Sequence, residues 1–387
     1  MDEPRSDSVQ DASLRVRSAY SQPDSGALED WQDLDLAHID RCGPPNLHLT
    51  PGTASTRTAF SSPGSHPPAK HSAPSSGQQW QSSPTQTQAP PTFPSQNPPK
   101  YLPLPCICLL LLTHRTFKGI PDCWRASAWH AFLSASASAS AHNRKSDAEL
   151  ACLYKVYIAT PSIYDVQIDL DVPRTVQGHV LFRHRYSGGQ RLLFQVLHSI
   201  SLMFPHIGYV QGMASLVATL LCYYNEESAF IMLVRMFQER HLDRLYEPGF
   251  TSLKSIFEDF NSKLSTRKLG KILNSLGIHP SIYLTTWYLT LFNYSVPFHT
   301  QLRMWDIFML LDDPDSLLQA TSLALLHSLK HQLVNADFER AMDLLSKRVL
   351  IENDDVLMRR VKIELNAIES ESIRRKFAIR FDRLRES

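Results

Sequence analysis

Large apolar side chains recur every three or four residues through most of the chain that follows Gly119. One such segment runs from Leu192 to Met203, and another runs from Met213 to Tyr224. Residues at this spacing lie on one face of an α-helix, so each segment predicts an amphipathic helix with a buried face. The sequence has no run of alternating strands, no Asn-Gly hairpin signal and no repeat of fixed period. We therefore predict an all-α fold in which the helices form a single packed array.

The first hundred residues have a different composition. Of the 25 prolines of the chain, 15 lie before residue 101, among many Ser, Gln and Thr residues. Such a segment has too few large apolar groups to offset the chain entropy lost on folding. We predict that residues 1–100 are disordered and dispensable for activity. The remaining chain, about 270–285 residues, is long enough for one sizeable helical domain.

The charge balance and the cysteine content exclude several kinds of partner and site. With 39 basic and 38 acidic side chains, the formal net charge is +1, which gives no general attraction to nucleic acid. The six cysteines form no CxxC pair, and no pair of histidines at metal-ligand spacing accompanies them. We predict no nucleic-acid partner, no metal site and no disulfide framework. A reducing, cytosolic setting fits this cysteine usage.

One short apolar run, CICLLLL at residues 106–112, bears on membrane insertion. It spans seven residues, whereas a membrane helix needs about 20. Two explanations stay open: the run docks on the domain that follows, or it comes from an incorrectly predicted stretch of coding sequence. The polar, acidic opening of the chain predicts no signal peptide.

The C-terminal segment, residues 346–387, mixes acidic and basic side chains densely. Phe377, Phe381 and Leu384 fall on one face of a predicted helix, with basic residues around it. Two interpretations remain for this charged helical segment. It is either a terminal helix that packs through this stripe, or an amphipathic helix that binds a partner or a membrane.

Common catalytic signatures are absent, including GxxxxGKS/T, GxSxG, HExxH and GxGxxG, but two other stretches carry unusual polar residues. The first is IDLDVPRTVQGHVLF, residues 168–182. Its Pro173 biases Val172 toward an extended conformation, so we expect the chain to turn there. Arg174 then stands near enough to Asp171 to be oriented by it. Taken alone, this is a local ion pair worth under about 1 kcal/mol.

The second stretch is FPHIGYVQGMASLVATLL, residues 204–221, which leads into a strongly apolar helix. The entrance to that helix carries Tyr209, Gln211 and Gly212. A buried amide without hydrogen-bond partners costs about 1–3 kcal/mol, whereas an exposed amide at the mouth of a rigid helix is free to contact something else. The stretch by itself leaves both readings open.

Together the two stretches resemble the paired signature of the TBC domain family, the activators of Rab-type small GTPases. The family's IxxDxxR motif is matched by Ile168, Asp171 and Arg174, and its YxQ motif by Tyr209 and Gln211. The separation of 37 residues from Arg174 to Gln211 is similar to the family's spacing. GIPDCWRASAWH and TTWYLTLFNYSVPFHTQLRMWDIF fit two further family motifs, and their matched residues include Arg125, Trp129, Trp305 and Asp306.

The resemblance implies a V-shaped, multi-helix TBC-type domain, which we place at residues 118–345. It implies a GTPase activator, which supplies catalytic groups in trans to a Rab partner rather than acting as an enzyme itself. Arg174 and Gln211 are the two fingers that would enter the nucleotide site of the GTPase. The expected supporting and orienting residues are Asp171, Tyr209, Gly212 and Thr175. Those expected to hold the fold are Arg125, Trp129, Trp305 and Asp306.

The resemblance also implies partners and a location. The partner is a Rab-family GTPase in its GTP form, and the role is regulation of vesicle trafficking. No cofactor or metal of the chain's own is expected, because GTP and Mg²⁺ are bound by the partner. The expected location is cytoplasmic, with peripheral contact to endomembranes or to an adaptor left open. The alternative function is a non-catalytic scaffold with a TBC fold that binds a GTPase or an adaptor.

Overall fold

The computed structural model describes residues 6–21, 111–140, 144–176, 178–186 and 188–385. All of them belong to one compact unit, formed by Met1–Asn46 and Ile107–Ser387. A second unit, Leu47–Cys106, lies outside the described residues, as does most of the segment predicted to be disordered.

The described residues form helices and turns with no β-strand among them, which confirms the predicted all-α class. Short 3₁₀ helices lie at Val172–Arg174, Val180–Phe182, Leu242–Tyr246 and Pro248–Phe250. The α-helices are α1 (Ser6–Ser21), α2 (Asp122–Ala139), α3 (Asp147–Ala159), α4 (Asp165–Asp171), α5 (Gly188–Met203), α6 (Met213–Leu221), α7 (Glu226–Glu239), α8 (Thr251–Ser265), α9 (Lys268–Ser275), α10 (Ser281–Leu289), α11 (Phe298–Leu310), α12 (Pro314–Ser328), α13 (Lys330–Leu333), α14 (Phe338–Ser346) and α15 (Asp354–Arg385).

Side-chain caps set several helix starts. The Ser146 hydroxyl accepts a hydrogen bond from Glu149 N at 3.3 Å, and the Glu149 carboxylate accepts one from Ser146 N at 2.6 Å, a reciprocal pair that begins α3. Asp313 accepts the backbone N–H of Ser316 at 3.1 Å, with Pro314 at the first position of α12. These caps pair N–H groups that a helix start otherwise leaves without a partner.

The core is built around α6, in which every residue is buried. Helices α5 and α7 pack on α6 and on each other, and α12 packs along α15. The buried side chains of α5 and α6 include most of the apolar residues whose spacing predicted these helices, while Leu192 and Met203 are half-buried. A fully buried helix has no freedom to shift, so the loop that enters α6 stands on a rigid base.

A buried carboxylate joins the start of α2 to α11. Asp306 accepts hydrogen bonds from Arg125 Nε at 2.9 Å, Trp129 Nε1 at 2.9 Å and Ile120 N at 3.1 Å. Burial alone would lower the pKa of Arg125, but the Asp306 carboxylate raises it above its ordinary value. Trp305 donates from Nε1 to a backbone carbonyl at 3.1 Å. All four residues expected to hold the fold are buried, which is the placement that a structural role requires.

Helix α1 is an element that the sequence did not predict. It occupies 16 residues within the range 1–100, whose overall composition favours disorder. Its Tyr20 is nevertheless only 1% exposed. The average over a hundred residues concealed a short segment that can bury an aromatic ring.

Helix α1 packs on α4, which contains Ile168 and Asp171 of the first candidate motif. Ser13 donates a hydrogen bond from its hydroxyl to the fully buried carboxylate of Asp165. Tyr20 donates to Asp169 Oδ1 at 2.9 Å, and its ring stacks on that of Phe194 with a centroid distance of 4.0 Å. The N-terminal helix therefore belongs to the same body as α4.

The C-terminal segment is helical, as predicted, since α15 covers Asp354–Arg385. Leu357, Met358, Val361 and Leu365 are buried, on the part of the helix that packs along α12. The stripe predicted further along, from Phe377 to Leu384, has side chains outside the described residues. The domain boundaries proposed at 118–345 and 346–387 stay predictions.

No helix in the described ranges has the length and the apolar content that crossing a bilayer requires. The apolar run at 106–112 lies mostly outside those ranges. Its last two residues, Leu111 and Leu112, begin a helical segment at 111–116 and are exposed. Both explanations of the run stay open.

Candidate functional site

The two candidate motifs meet at one cleft of about 530 Å³. Its lining includes residues of the segments 171–175 and 209–212 and residues of α10. All six residues expected to form or support the fingers line it: Asp171, Arg174, Thr175, Tyr209, Gln211 and Gly212. The fold thus brings together residues that are nearly forty positions apart in the chain.

Arg174 stands at the end of the 3₁₀ turn that follows α4. The expectation that Val172 is extended was wrong, because its φ of −55° and ψ of −51° are helical. The Val172 side chain is fully buried, and its carbonyl accepts Thr175 N at 3.1 Å. Packing and this turn override the bias that Pro173 exerts on its neighbour. The turn still brings Arg174 to the surface, where 54% of its side chain is exposed.

Asp171 is the common support of both motifs. Its carboxylate, with the side chain 3% exposed, accepts a hydrogen bond from Arg174 Nη2 through Oδ1. Its Oδ2 accepts the Tyr209 hydroxyl at 2.6 Å, and its backbone carbonyl accepts the Thr175 hydroxyl at 2.8 Å. A buried carboxylate with this many donors holds a fixed position.

Tyr209 is buried and protonated. Burial raises the pKa of its hydroxyl above the ordinary value of 10, and the hydrogen bond to Asp171 raises it further. The phenol therefore stays a donor to the carboxylate across the physiological range. Within the described residues, Arg174 donates to Asp171 through one guanidinium nitrogen, Nη2. Its other N–H groups remain available as donors to a partner.

Two glycines shape the loop that carries Gln211. Gly208 has a φ of +67°, and a Cβ there would lie 2.0 Å from the ring of Tyr164. Gly212, at the start of α6, has a φ of +111°, and a Cβ there would lie 3.0 Å from the carbonyl oxygen of Leu289. Left-handed φ and close approach both require glycine at these positions.

Gln211 projects from this loop and is exposed. Its side-chain amide makes no hydrogen bond to any residue in the described part of the chain. The amide at the entrance of α6 is therefore an exposed one, and the apolar residues on either side anchor only the backbone that carries it.

The remaining residues of the cleft lining were not found by sequence reasoning. They include Phe250, Tyr294 and residues of α10, namely Thr285, Thr286 and Leu289. Tyr294 is 42% exposed, yet partial burial raises the pKa of its hydroxyl, and the Arg174 guanidinium acts to lower this pKa. Thr285, Thr286, Leu289 and Tyr294 lie within the stretch TTWYLTLFNYSVPFHTQLRMWDIF, but its fit to a family motif did not place them at the cleft, which the fold reveals.

The cleft offers cationic and amide hydrogen-bond donors, with no general base paired to a nucleophile. Within the residues that the structure describes, no group of three His, Cys, Asp or Glu side chains could hold a metal ion. The arrangement suits stabilisation of negative charge on a molecule that enters the cleft.

Comparisons of sequence agree with this arrangement. The profile of the Rab-GTPase-TBC domain matches residues 122–334, more than half of the chain. A TBC domain-containing protein of Schizosaccharomyces pombe is 48% identical over 264 residues, which cover 67% of this chain and 61% of that protein. The Rab GTPase-activating protein eat-17 of Caenorhabditis elegans is 30% identical over 239 residues, covering 60% and 25%. The chain thus spans less than two thirds of the length of these relatives.

Two solved structures share the fold. The Ypt/Rab-GAP domain of Gyp1p matches with a TM-score of 0.56 at 16% identity, covering 67% of this chain and 93% of that one. A Chlamydomonas flagellar RabGAP TBC domain matches with a TM-score of 0.52 at 24% identity, covering 65% and 83%. At these identities the likeness establishes the helical architecture alone. With the profile match over more than half of its length, the chain belongs to the Rab-GTPase-TBC domain family.

Proposed function

We propose that this chain accelerates GTP hydrolysis by a Rab-type small GTPase. The observation that carries the proposal is the contrast within the cleft: Arg174 and Gln211 are exposed, while Asp171 and Tyr209 beneath them are buried. Asp171 holds the Arg174 side chain, and the Gln211 side chain stands on a loop with a fixed backbone, so both can enter another protein's site with a reduced loss of conformational entropy.

Arg174 supplies charge stabilisation in this proposal. Hydrolysis of GTP passes through a loose phosphoryl transition state in which negative charge is spread over the transferred group's oxygens. A guanidinium offers donors in a planar fork that matches such oxygens. An arginine supplied in trans increases the rate of hydrolysis by roughly 10³–10⁵-fold. Asp171 orients Arg174 before docking, so that less freedom is lost on contact.

Gln211 holds the attacking water in this proposal. Its amide carries both a donor and an acceptor, which allows it to orient a water molecule in line with the bond that breaks. The loop fixed by Gly208 and Gly212 places this amide at the cleft that also contains Arg174.

The partner and location follow from the same proposal. The chain engages a Rab in its GTP form, the GTP and Mg²⁺ belong to that partner, and the consequence is regulation of vesicle trafficking. The chain then acts in the cytoplasm, at membranes where its partner resides. The proposal also includes peripheral contact with a membrane or an adaptor.

The test is single-turnover GTP hydrolysis by a panel of Rab GTPases with and without the full chain. On a GTPase that the chain activates, Arg174→Ala should lower the stimulated rate by at least about 10². Arg185→Ala is a matched control, because Arg185 is also exposed and paired with an aspartate, Asp169 at 3.0 Å, but does not line the cleft. Stimulation that survives Arg174→Ala would sink the catalytic proposal and favour the non-catalytic scaffold.

A further inference from the structure

A second cavity, of about 240 Å³, adjoins the candidate cleft. It shares Arg174 and Tyr294 with that cleft. The rest of its described lining comes from Val176, His179 and Phe182, from α6 and its C-terminal end, and from Asn293, Phe298 and Arg348. The function proposed above makes no use of this space.

A buried donor that no described residue pairs with lines the cavity. His179 is 5% exposed, and its Nδ1 accepts the backbone N–H of Leu181 at 3.2 Å. Burial lowers the pKa of His179 below its ordinary value of 6.5, so the ring is neutral at neutral pH. With Nδ1 accepting, the single proton lies on Nε2, and this nitrogen has no hydrogen-bond partner among the residues that the structure describes. A buried N–H group in this state is unusual in folded proteins and calls for a ligand.

The charge at the cavity is positive. Arg174 and Arg348 both line it, and none of its described lining residues is acidic. Arg348 is exposed and makes no ion pair within the described ranges. Its backbone position is fixed, because the next residue, Val349, donates its N–H to the Ser295 carbonyl at 2.7 Å. Arg174 is already paired with the carboxylate of Asp171, so the charge that no ion pair offsets within the described residues is that of Arg348.

The walls between these polar groups are apolar. Val176, Phe182, Ala218 and Phe298 line the cavity, and the His179 ring packs beside Phe182 with a centroid distance of 5.6 Å. Asn293, which also lines it, spends both amide N–H groups on the Ser215 carbonyl and the Thr219 hydroxyl. The donors left for a ligand therefore include the two guanidiniums, His179 Nε2 and the Tyr294 hydroxyl.

We propose that this cavity binds a small amphipathic organic anion, with one carboxylate or phosphate group on an apolar body of the order of ten non-hydrogen atoms. The anionic group contacts Arg348, Arg174 and His179 Nε2, and the apolar body lies against Phe182 and Ala218. Arg174 also lines the candidate cleft. An anion bound in the second cavity therefore holds the Arg174 guanidinium toward that cavity and away from a GTPase docked at the cleft. The ligand is then an inhibitor of the activator.

The binding test uses the full chain without any GTPase. Octanoate and phenyl phosphate are titrated calorimetrically, with 1-octanol and phenol as neutral analogues. Saturable one-to-one binding is expected for at least one anion, and which one binds distinguishes a carboxylate from a phosphate ligand. No saturable binding of either anion at millimolar concentration overturns the proposal, as does equally tight binding of the neutral analogue.

Variants locate the binding. Arg348→Gln should weaken the anion at least about tenfold, because it removes a charged hydrogen-bond donor. The matched control is Lys347→Gln, one residue earlier, exposed, paired with Asp343 at 2.7 Å and outside the cavity lining. Gln211→Ala, which alters only the neighbouring cleft, should leave the affinity unchanged. Equal loss in Arg348→Gln and Lys347→Gln indicates general charge attraction and contradicts a site.

The histidine gives a second, independent variant. His179→Phe keeps a ring against Phe182 but removes the Nε2 donor, so the anion should bind more weakly. Its thermal midpoint is compared with that of the wild type, since the variant also loses the contact to Leu181 N. If this variant does not fold, the Arg348 comparison alone decides the proposal.

The proposed inhibition of GTPase activation, unlike the binding of the anion, rests on the proposed function. On a responsive Rab, the bound anion should reduce stimulated hydrolysis in the wild type and much less in Arg348→Gln. If no Rab responds to the chain, the proposed function fails, while the calorimetric result still decides the site. Binding without inhibition contradicts the link through Arg174.

Discussion

At the residue scale, a single buried carboxylate contacts both candidate motifs. Asp171 accepts hydrogen bonds from Arg174 and from Tyr209, while Gln211 follows Tyr209 by two residues. The exposed side chains of Arg174 and Gln211 carry the proposed chemistry of the cleft, but their positions depend on the buried contact between Asp171 and Tyr209. Substitutions of the buried residues should therefore affect activity as well as stability.

Tyr209→Phe tests this dependence. The change removes the hydroxyl that donates to Asp171 Oδ2 at 2.6 Å, so a buried carboxylate oxygen loses its donor. We expect the free energy of unfolding to fall by about 1–3 kcal/mol and stimulated hydrolysis to fall with it. Chemical denaturation and the single-turnover assay measure the two effects.

The matched control is Tyr288→Phe. Tyr288 is also buried, but its hydroxyl accepts from Ser322 at 3.2 Å and its side chain does not line the cleft. This control should leave stimulation unchanged. Full stimulation by Tyr209→Phe would show that the contact with Asp171 has no part in positioning.

Arg174 and Gln211 should also show non-additive effects. Groups that act in one transition state do not contribute independently, so the double Ala variant should be little slower than the slower of the two single variants. Arg174→Lys should not restore the rate, since it keeps the charge and loses the planar fork. Circular dichroism should be unchanged in every variant, because both side chains are exposed. Losses that multiply in the double variant would mean two separate roles.

At the scale of elements, α1 changes the expected role of the N-terminal segment. Its contacts with α4 reach a buried pair of side chains, because Asp165 also lies 2.5 Å from His198 Nδ1. His198 Nε2 lies 2.9 Å from the Tyr157 carbonyl oxygen. Helix α1 covers this buried pair through the hydrogen bond from Ser13 to Asp165.

Removal of residues 1–21 should therefore destabilise the domain, which revises the expectation that residues 1–100 are dispensable. Tyr20→Ala should have a similar but smaller effect, about 3 kcal/mol, because it removes a stacked, buried ring. The control is Leu14→Ala, on the same helix but 56% exposed. Thermal unfolding measures all three, and an unchanged midpoint on removal of residues 1–21 would restore the original expectation.

The limits of sequence reasoning have physical causes here. Spacing of apolar residues predicted α5 and α6 because burial of one helix face is a local property of the sequence. The conformation of Val172 was missed because tertiary packing decides it, and α1 was missed because composition was averaged over a hundred residues. The second cavity has no local signal at all, since its lining residues meet only through the fold.

The molecule as a whole assembles the cleft from segments that lie between residues 171 and 294. Contacts remote from the cleft must therefore hold these segments together. One of them is Glu364 on α15, which is 2% exposed and accepts from Arg267 at 2.7 Å and from Arg360 at 2.6 Å. It joins α15 to the turn before α9.

Glu364 should make stability depend on pH. Burial acts to raise its pKa, but the two guanidiniums outweigh burial and hold the pKa below its ordinary value of 4.5. A depressed folded-state pKa contributes stability above the unfolded-state value, and this is lost as the pH falls through the folded-state pKa. Glu364→Gln should thus be less stable than the wild type near neutral pH, and the difference should shrink below about pH 4.5.

Denaturation curves at a series of pH values check this result. Glu352→Gln, an exposed glutamate without a recorded ion pair in the described ranges, is the control and should show no such trend. A difference for Glu364→Gln that stays constant with pH would mean that its packing, rather than its charge, stabilises α15.

The hydrogen bonds that Asp171 accepts from Tyr209 and Arg174 also couple the local motions of the two segments that carry the candidate fingers. Local openings expose backbone amides to exchange with solvent, and segments that open together exchange at a common rate. Neither the turn at 172–175 nor the loop at 208–212 can move away without leaving a buried carboxylate oxygen unpaired. Their amides should therefore exchange as one unit, and the arginine and the glutamine should reach and leave their working positions in a single concerted motion.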